Sequence, residues 1–380
     1  MSAALALSRG GFNVTLYERA NALEEFGAGL QLTPNATRVL SRIGVLESVR
    51  QFAIMPAELL TLRGSDNVEL MRLRLDNAGE RWGAPYLVIH RADLQRVLVE
   101  AVRRRPNIDL TLGATLSGFT SDSDSVSTEL TRGASSRLDA SDLLIGADGL
   151  HSRVREHLGL GAADQADFTG RVAYRATVNV DDIDRRLHRN SIVLRLGPKA
   201  HLVQYPLRGG STVNLVAVIE SSWRAGRDDH PWNGRADASA LDRAFANWSK
   251  ETRALLKAPA EWRTWPLYSR SPIASFSFGR VALVGDAAHP MVPFLAQGAA
   301  QAIEDAGALA GVFSQTQNVS AALAAYSDQR VARTTRVQRA ALNQGRIYHM
   351  SGPLAFARDT AMRVLGSQRI GARYDWLFRA

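Results

Sequence analysis

Apolar and polar positions alternate differently along successive stretches of the chain. Ser2 to Arg9 has a helical pattern that stops at Gly10-Gly11, a pair suited to ending a helix. Val14-Thr15-Leu16-Tyr17-Glu18 then predicts a strand with an acid at its tip. From Ala92 to Arg104, Leu94, Val97, Leu98, Ala101 and Val102 recur at helical spacing, with Asp93 in the first turn and Pro106 after the end. Residues 108–119 and 123–130 predict strands joined by a Ser/Asp-rich turn, Ser121 to Ser127. Asp142 to Ile145 predicts a short buried strand running into Gly146-Ala147-Asp148-Gly149. The order helix, glycine turn, strand suits a parallel α/β unit.

The pattern changes at residue 168. Strand-like runs at 172–180, 191–196, 201–206 and 212–219 are joined by short turns such as Arg208-Gly209-Gly210, which predicts an antiparallel sheet. Residues 235–257 predict a helix. Val281-Ala282-Leu283-Val284 returns to a buried strand broken by Gly285-Asp286, and Ala299 to Phe313 predicts a helix. The tail from about 320 is largely helical, interrupted near Gly352-Pro353. The chain therefore leaves an α/β part, builds an antiparallel sheet and comes back.

Length and charge refine this picture. A chain of 380 residues exceeds one ordinary core and implies two domains. With no cysteine, disulfides, thiolate metal sites and cysteine nucleophiles are excluded, and a reducing cytoplasmic setting fits. The net charge is +9, yet from Arg330 to the end ten arginines face only Asp359 and Asp375. The basicity thus belongs to one C-terminal segment, expected to be a solvated helix face, with attraction of an anionic substrate or reductant as the alternative. A nucleic-acid binder is disfavoured because no aromatics interleave a basic stripe. No apolar run is long enough to span a membrane, and Met1 to Leu7 lacks the flanks of a signal peptide. H-E-x-x-H, G-x-S-x-G and P-loop motifs are absent, so metalloprotease, serine hydrolase and P-loop readings have no support.

Two blocks carry chemistry. In the first, Gly279 to Pro290, a strand ends in Gly285-Asp286, and Pro293 and Gln297-Gly298-Ala299 then open a helix. Small residues admit a ligand close to the backbone, free N–H groups at a helix start favour negative charge, and an aspartate can accept from a polyol hydroxyl. In the second, Asp142 to Arg155, a strand runs into Asp148-Gly149. For each block the plainer alternative is a turn whose aspartate caps the following helix.

Taken with Tyr17-Glu18-Arg19, Gly27-Ala28-Gly29-Leu30-Gln31-Leu32-Thr33-Pro34-Asn35-Ala36, Ile89-His90-Arg91-Ala92-Asp93-Leu94 and Tyr374-Asp375-Trp376-Leu377, these blocks resemble single-component FAD-dependent aromatic hydroxylases. The resembling group is that of salicylate, 3-hydroxybenzoate and 6-hydroxynicotinate monooxygenases, and the likeness covers essentially the whole chain. It implies a mixed α/β and α+β fold with a discontinuous Rossmann-like FAD-binding domain (1–60, 86–165 and 270–335). An antiparallel-sheet substrate domain (61–85 and 166–269) and a C-terminal helical region (336–380) complete it. That family opens with a strand and a G-x-G-x-x-G turn for the FAD pyrophosphate, whereas Met1 here falls inside the following helix. On the usual spacing about 15 residues are missing, so a truncated start is the expectation.

The same resemblance implies site residues. Glu18, Arg19, Gln31, Arg91, Leu116, Asp148, Asp286, Pro293, Gly298 and Ala299 would hold FAD. His201 and Tyr205, on one face of a strand, would meet the aromatic substrate, with Gln297 their companion from the flavin side. By periodicity alone Leu116 reads as core and His201 as a structural histidine. His157, His188, His230 and His349 are expected at the surface. The reaction implied is NAD(P)H- and O₂-dependent ring hydroxylation through a flavin C4a-hydroperoxide, by a cytoplasmic monomer or homodimer. Another oxidoreductase of this fold, such as an epoxidase, and a non-catalytic remnant are the alternatives.

Overall fold

The computed structural model describes residues 1–23, 28–160, 165–221, 234–235 and 238–379, so Gly27 and His230 lie outside the described residues. The chain opens with α1 (Ser2–Arg9), β1 (Val14–Glu18), β2 (Gly29–Leu32), α2 (Pro34–Arg42) and α3 (Leu46–Arg50). Next come β3 (Glu58–Arg63), β4 (Glu69–Arg74), α4 (Ala78–Trp82), β5 (Leu87–His90) and α5 (Arg91–Arg103). β6 (Ile108–Leu112), β7 (Thr115–Ser121), β8 (Val126–Arg132), β9 (Ser135–Ser141), β10 (Leu144–Gly146) and α6 (Arg153–His157) follow. The sheet region holds β11 (Asp167–Asn179), β12 (Ser191–Gly197), β13 (Ala200–Leu207), β14 (Thr212–Glu220) and β15 (Gly234–Arg235), then α7 (Ser239–Ala244), α8 (Lys250–Lys257) and β16 (Arg263–Ser269). The chain closes with β17 (Ser277–Phe278), β18 (Val281–Leu283), α9 (Gly298–Phe313), α10 (Val319–Tyr348), α11 (Gly352–Ala372) and α12 (Asp375–Phe378).

Parallel pairing occurs in two places in the α/β part: β1 with β6, and β10 with β18. Among the described residues these two pairs share no ladder, so β1 and β10 each keep one unpaired edge. The expected strand over 108–119 is broken at Gly113, whose positive φ turns the chain, and β9 is an additional strand. The helix expected over 235–257 is two helices, because Ser249 caps a fresh start by accepting from the Thr252 N–H.

Beyond this part lies an eight-stranded sheet in the order β15-β16-β11-β14-β13-β12-β3-β4, antiparallel except where β12 meets β3. Its two faces bury different things. Val172, Leu202, Leu215 and Ala217 face Phe245, Trp248 and Leu255 from α7 and α8. Strand alternation sends the intervening residues to the other face, where Ala173 and Val218 pack with Phe294 and Ala341. That face looks toward the α/β part. Gly197 lies so close to Trp248 that an added Cβ would sit 2.4 Å from the indole.

The basic tail departs from a solvated face. Arg330, Arg333 and Arg358 turn inward onto carboxylates, while its other seven arginines are exposed. A polar tail can still carry buried pairs because α10 lies along α9 and carries its arginines to acids there.

Gly197→Ala should lower unfolding free energy by about 1–3 kcal/mol, the usual cost of overpacking a filled site. Urea titration showing no change would mean that Trp248 relocates freely.

Candidate active site

Strand β10 pairs with β18 so that Gly146 stands opposite Leu283, and the Val284 N–H donates to the Gly146 carbonyl at 3.0 Å. The Asp-Gly and Gly-Asp turns therefore leave the carboxyl ends of two adjacent parallel strands. Open α/β sheets bind ligands at such ends. Glu18 ends another parallel strand, β1, and Arg91 opens α5 directly after β5.

The Gly-Asp turn is held from behind. Asp305 on α9 accepts from the Gly285 N–H at 2.8 Å, lies 2.7 Å from His289 Nε2, and accepts from Arg330 Nε at 2.6 Å. Gly285 has φ +59°, and a Cβ there would meet Ala302 at 3.1 Å, so both conformation and space require glycine. Its neighbour Asp286 is exposed to solvent yet walled by protein. This crowding raises its carboxyl above the usual range, with His289 and Arg91 opposing and Asp305 reinforcing the rise. A carboxyl reached by water but surrounded by protein lines a groove.

Helix α9 begins at Gly298 with no side chain capping its first turn. The amides of Gly298 and Ala299 are thus available to a partner. Pro293 starts a short 3₁₀ turn just before it. Gln297 is fully buried, and its amide is committed to protein groups. It donates to Thr33 Oγ1 at 3.0 Å and accepts from Asn35 at 3.2 Å and Gln301 at 3.0 Å. Glu304, next to Asp305, accepts from Asn35 at 2.9 Å and pairs with Arg330 and Arg333. Burial alone would raise both carboxyls. Arg333 and Arg330 outweigh it for Glu304, His289 and Arg330 for Asp305, and both end below their ordinary values.

The second turn behaves differently. Asp148 accepts from Ser152 Oγ and from the N–H groups of Arg153 at 2.7 Å and Val154 at 3.2 Å, so its side chain caps α6. Leu116 is half-buried at the edge of a core cluster, and its carbonyl accepts from Arg153 at 3.0 Å. Glu18 accepts from the Ala20 N–H at 2.9 Å. Arg19 is exposed and close enough to His151 to hold its pKa down, after burial and Arg270. Gln31 accepts from the Tyr86 hydroxyl at 2.7 Å. The expected cofactor residues thus fall into two groups, one around Asp286 and Arg91 and one around Glu18, Arg19, Leu116 and Asp148.

The sheet face opposite the Gly-Asp turn is built in rows across β11, β14 and β13. Ala173, Val218 and His201 form one row, Arg175, Val216 and Val203 the next, and Thr177, Asn214 and Tyr205 the third. Tyr205 is buried where β2 crosses it. A Cβ on Gly29 would lie 2.5–2.9 Å from the ring, and the Gly29 N–H donates to Asn214 Oδ1 at 2.8 Å. Burial pushes the Tyr205 phenol well up, with the charge of Arg175 opposing. Arg175 Nε and Asn214 Nδ2 are buried donors with no partner among the described residues. Burial lowers the Arg175 guanidinium, Tyr205 opposes, and Arg91 reinforces. Arg91 is near enough to act electrostatically on both Asp286 and Arg175, so the Gly-Asp turn and this sheet face share one cation.

His201 is 2% exposed, flanked by the rings of Phe294 at 5.5 Å and Tyr348 at 5.2 Å. Its Nδ1 lies 2.8 Å from Nε2 of His349, which is buried and not at the surface as expected. The long reach from α10 to β13 left no local signal for that contact. Arg175, Asn214 and the α9–α10 ion network are further groups that periodicity reads only as strand or helix positions. Two surface clefts, of ≈330 Å³ beside Leu5, Val45 and Val97 and ≈430 Å³ beside Phe52, Arg96 and Arg208, contain none of the expected site residues.

An FAD binding domain model matches residues 1–341. The chain belongs to this family, the FAD-dependent aromatic hydroxylases. It is 34% identical to the 3-hydroxybenzoate 6-hydroxylase of Polaromonas naphthalenivorans (strain CJ2), over all of this chain and 92% of that protein. It is 36% identical to the 6-hydroxynicotinate 3-monooxygenase of Bordetella bronchiseptica (strain ATCC BAA-588 / NCTC 13252 / RB50), over 88% of this chain and 86% of that one. Klebsiella pneumoniae HpxO, solved with FAD and uric acid, superposes with a TM-score of 0.87 at 26% identity, covering 99% of this chain and 93% of that one. FAD is the cofactor of this enzyme. The turn fits the flavin end of such a molecule: the α9 amides are uncapped, Gly285 carries no side chain, and Asp286 is exposed with Arg91 near enough to act on it.

Replacing Arg330 by Met should destabilise the hydroxylase by about 3–5 kcal/mol, because two buried carboxylates lose their shared cation. The pH dependence should flatten. Carboxyls lowered in the folded state stabilise the wild type above about pH 4.5 and lose that contribution as pH falls. Without Arg330, Glu304 keeps Arg333 and Asp305 keeps His289, so the lowering shrinks and the variant should lose less stability than the wild type as pH falls below about 4.5. Parallel pH profiles of urea midpoints for the two proteins would refute the assignment.

Proposed function

We propose that this hydroxylase acts on a small aromatic acid bearing a phenolic hydroxyl, of the hydroxybenzoate or hydroxynicotinate kind, using O₂ and NAD(P)H, as a cytoplasmic monomer or homodimer that binds no nucleic acid. The observation that carries the substrate class is the pair of unpartnered buried donors, Arg175 Nε and Asn214 Nδ2, on one sheet face between His201 and Tyr205. Buried donors without acceptors are costly, and a carboxylate satisfies both. The names of the two relatives, each of which carries a carboxylate and a ring hydroxyl in its substrate, support the same reading.

When bound, FAD supplies the redox and oxygen chemistry. The chain's own residues then have four tasks. Asp286, Arg91, Pro293 and the Gly298 and Ala299 amides hold the flavin end, while Glu18, Arg19, Gln31, Leu116 and the Asp148 turn serve the rest of the cofactor. Arg175 and Asn214 anchor the substrate carboxylate, and Tyr205 orients the ring. His201, kept neutral at pH 7 by burial with reinforcement from His349 and Arg171, accepts the phenolic proton and makes the ring electron-rich. Gln297, its amide already committed, acts as a positioning residue that ties the start of α9 to α2. Aromatic walls from Phe294 and Tyr348 keep the site dry, which protects a reactive oxygen species from water.

Arg175→Met should weaken binding of 3-hydroxybenzoate or the best-bound panel acid roughly 10- to 100-fold, the loss of a charge-assisted contact, while FAD content and affinity for the matching neutral phenol stay near wild type. Equal loss for acid and phenol would remove the anchoring role. His201→Ala should keep FAD yet divert NAD(P)H oxidation toward hydrogen peroxide. Unchanged coupling would exclude His201 as the base.

A further inference from the structure

Resting on the reading of His201 as the base, we propose that His201, His349 and Glu220 form a proton relay that carries the phenolic proton from the sheet face to bulk water. His201 Nδ1 and His349 Nε2 are 2.8 Å apart, and His349 Nδ1 lies 3.3 Å from Glu220 Oε1. Both histidine side chains are sealed from solvent, whereas the Glu220 side chain is 37% exposed. The three groups thus form one line from an interior base to the surface.

Tautomer logic gives the line a direction. A carboxylate can only accept, so His349 carries its proton on Nδ1 and presents a bare Nε2. His201 must then donate from Nδ1, which leaves its Nε2 lone pair as the open base. When substrate binds, the phenolic O–H breaks and an N–H forms on His201 Nε2. The Nδ1 proton passes to His349 Nε2, the His349 Nδ1 proton passes to Glu220, and Glu220 releases it to water. One proton leaves, the substrate becomes a phenolate, and nothing is oxidised or reduced.

The surroundings oppose storage of that proton. Arg171 lies near all three groups, 3.7 Å from Glu220, with Arg346 behind it, and Arg358 approaches His349 while paired to Asp359. Phe294 and Tyr348 supply apolar walls. Burial, then Arg171 and Arg358, takes His349 down to about 3, and burial, then His349 and Arg171, takes His201 well below its ordinary value. An imidazolium at either place is disfavoured, which favours passing the proton on.

The test uses the FAD-loaded enzyme with the tightest-binding hydroxybenzoate of a panel, mixed in a stopped flow with a pH indicator. Phenolate absorbance and proton release are followed without NAD(P)H. Glu220→Gln and His349→Gln should bind FAD and substrate within about 3-fold of wild type yet slow proton release 10-fold or more, and Glu220→Asp should restore it. Nitrogen-15 NMR should show the His201 proton on Nδ1 in wild type and a mixed tautomer in Glu220→Gln. Wild-type release rates in both glutamine variants would overturn the relay while leaving His201 as base. Unchanged phenolate formation in His201→Gln would overturn the base and the relay together. A variant that loses FAD is replaced by Glu220→Asp against wild type, whose equal tautomers and rates support the relay and whose slowed release overturns a simple carboxylate terminus.

Discussion

Two carboxylates side by side on α9, Glu304 and Asp305, sit inside the protein, and the geometry of the cofactor face depends on how they are neutralised. Taking an ion out of water costs several kcal/mol unless hydrogen bonds and opposite charges replace the lost solvent. Here each oxygen has partners. Asp305 collects the Gly285 amide, His289 and Arg330, and Glu304 collects Asn35, Gln301, Arg330 and Arg333. The partners come from α2, α10 and the turn after β18, so satisfying the charges fixes where those elements stand. Arg333 also donates to the Leu377 carbonyl at 2.9 Å, which carries the same constraint to the last helix. An apolar seam would hold these elements together as firmly but would leave their rotation free.

That network holds the Gly-Asp turn and the start of α9, and one face of the large sheet packs beside them through Phe294. The sheet is buried on both faces, yet the faces differ in kind. Toward α7 and α8 it packs Phe245 and Trp248 against aliphatic side chains, and nothing there needs a ligand. Toward the flavin side it places a guanidinium, an amide, a phenol and an imidazole in three adjacent rows. Polar groups in such a place lower stability unless something polar meets them. The orphaned donors of Arg175 and Asn214 are where local packing rules fail, and such failures mark functional sites.

Much of this was legible from residue order. Alternation located β1, β11, β12, β13 and β14 within a few residues, and helical spacing located α5 and α9, because burial on one face imposes those periods. The two Asp-Gly-type turns announced themselves through small residues at strand ends. Their meeting was not written locally; it arises from parallel pairing of strands more than 130 residues apart. Asp148 shows the limit of a motif, since its side chain turned out to cap α6. Gln297 is similar: its position at the start of α9 was readable, but its three partners lie on α2 and one turn further along α9. Arg330 and Arg333 looked like part of a charged surface because periodicity cannot say which side of a long helix meets buried acids. His349 looked peripheral for the same reason.

The depressed imidazoles fit the chemistry better than ordinary ones would. A histidine with an unperturbed pKa near 6.5 would be partly cationic at pH 6–7 and could not take a second proton. Burial and the nearby Arg171 keep His201 neutral across that range, so its lone pair is present whenever a substrate arrives. The cost is weak basicity, which makes proton transfer from a phenol uphill. Two features offset it. Arg91 is near enough to act on Arg175, so in the proposed reaction these two cations would stabilise the phenolate, and His349 would draw the proton onward. A weak base is thus consistent with a site in which charge separation, and not proton affinity at one atom, drives the ionisation.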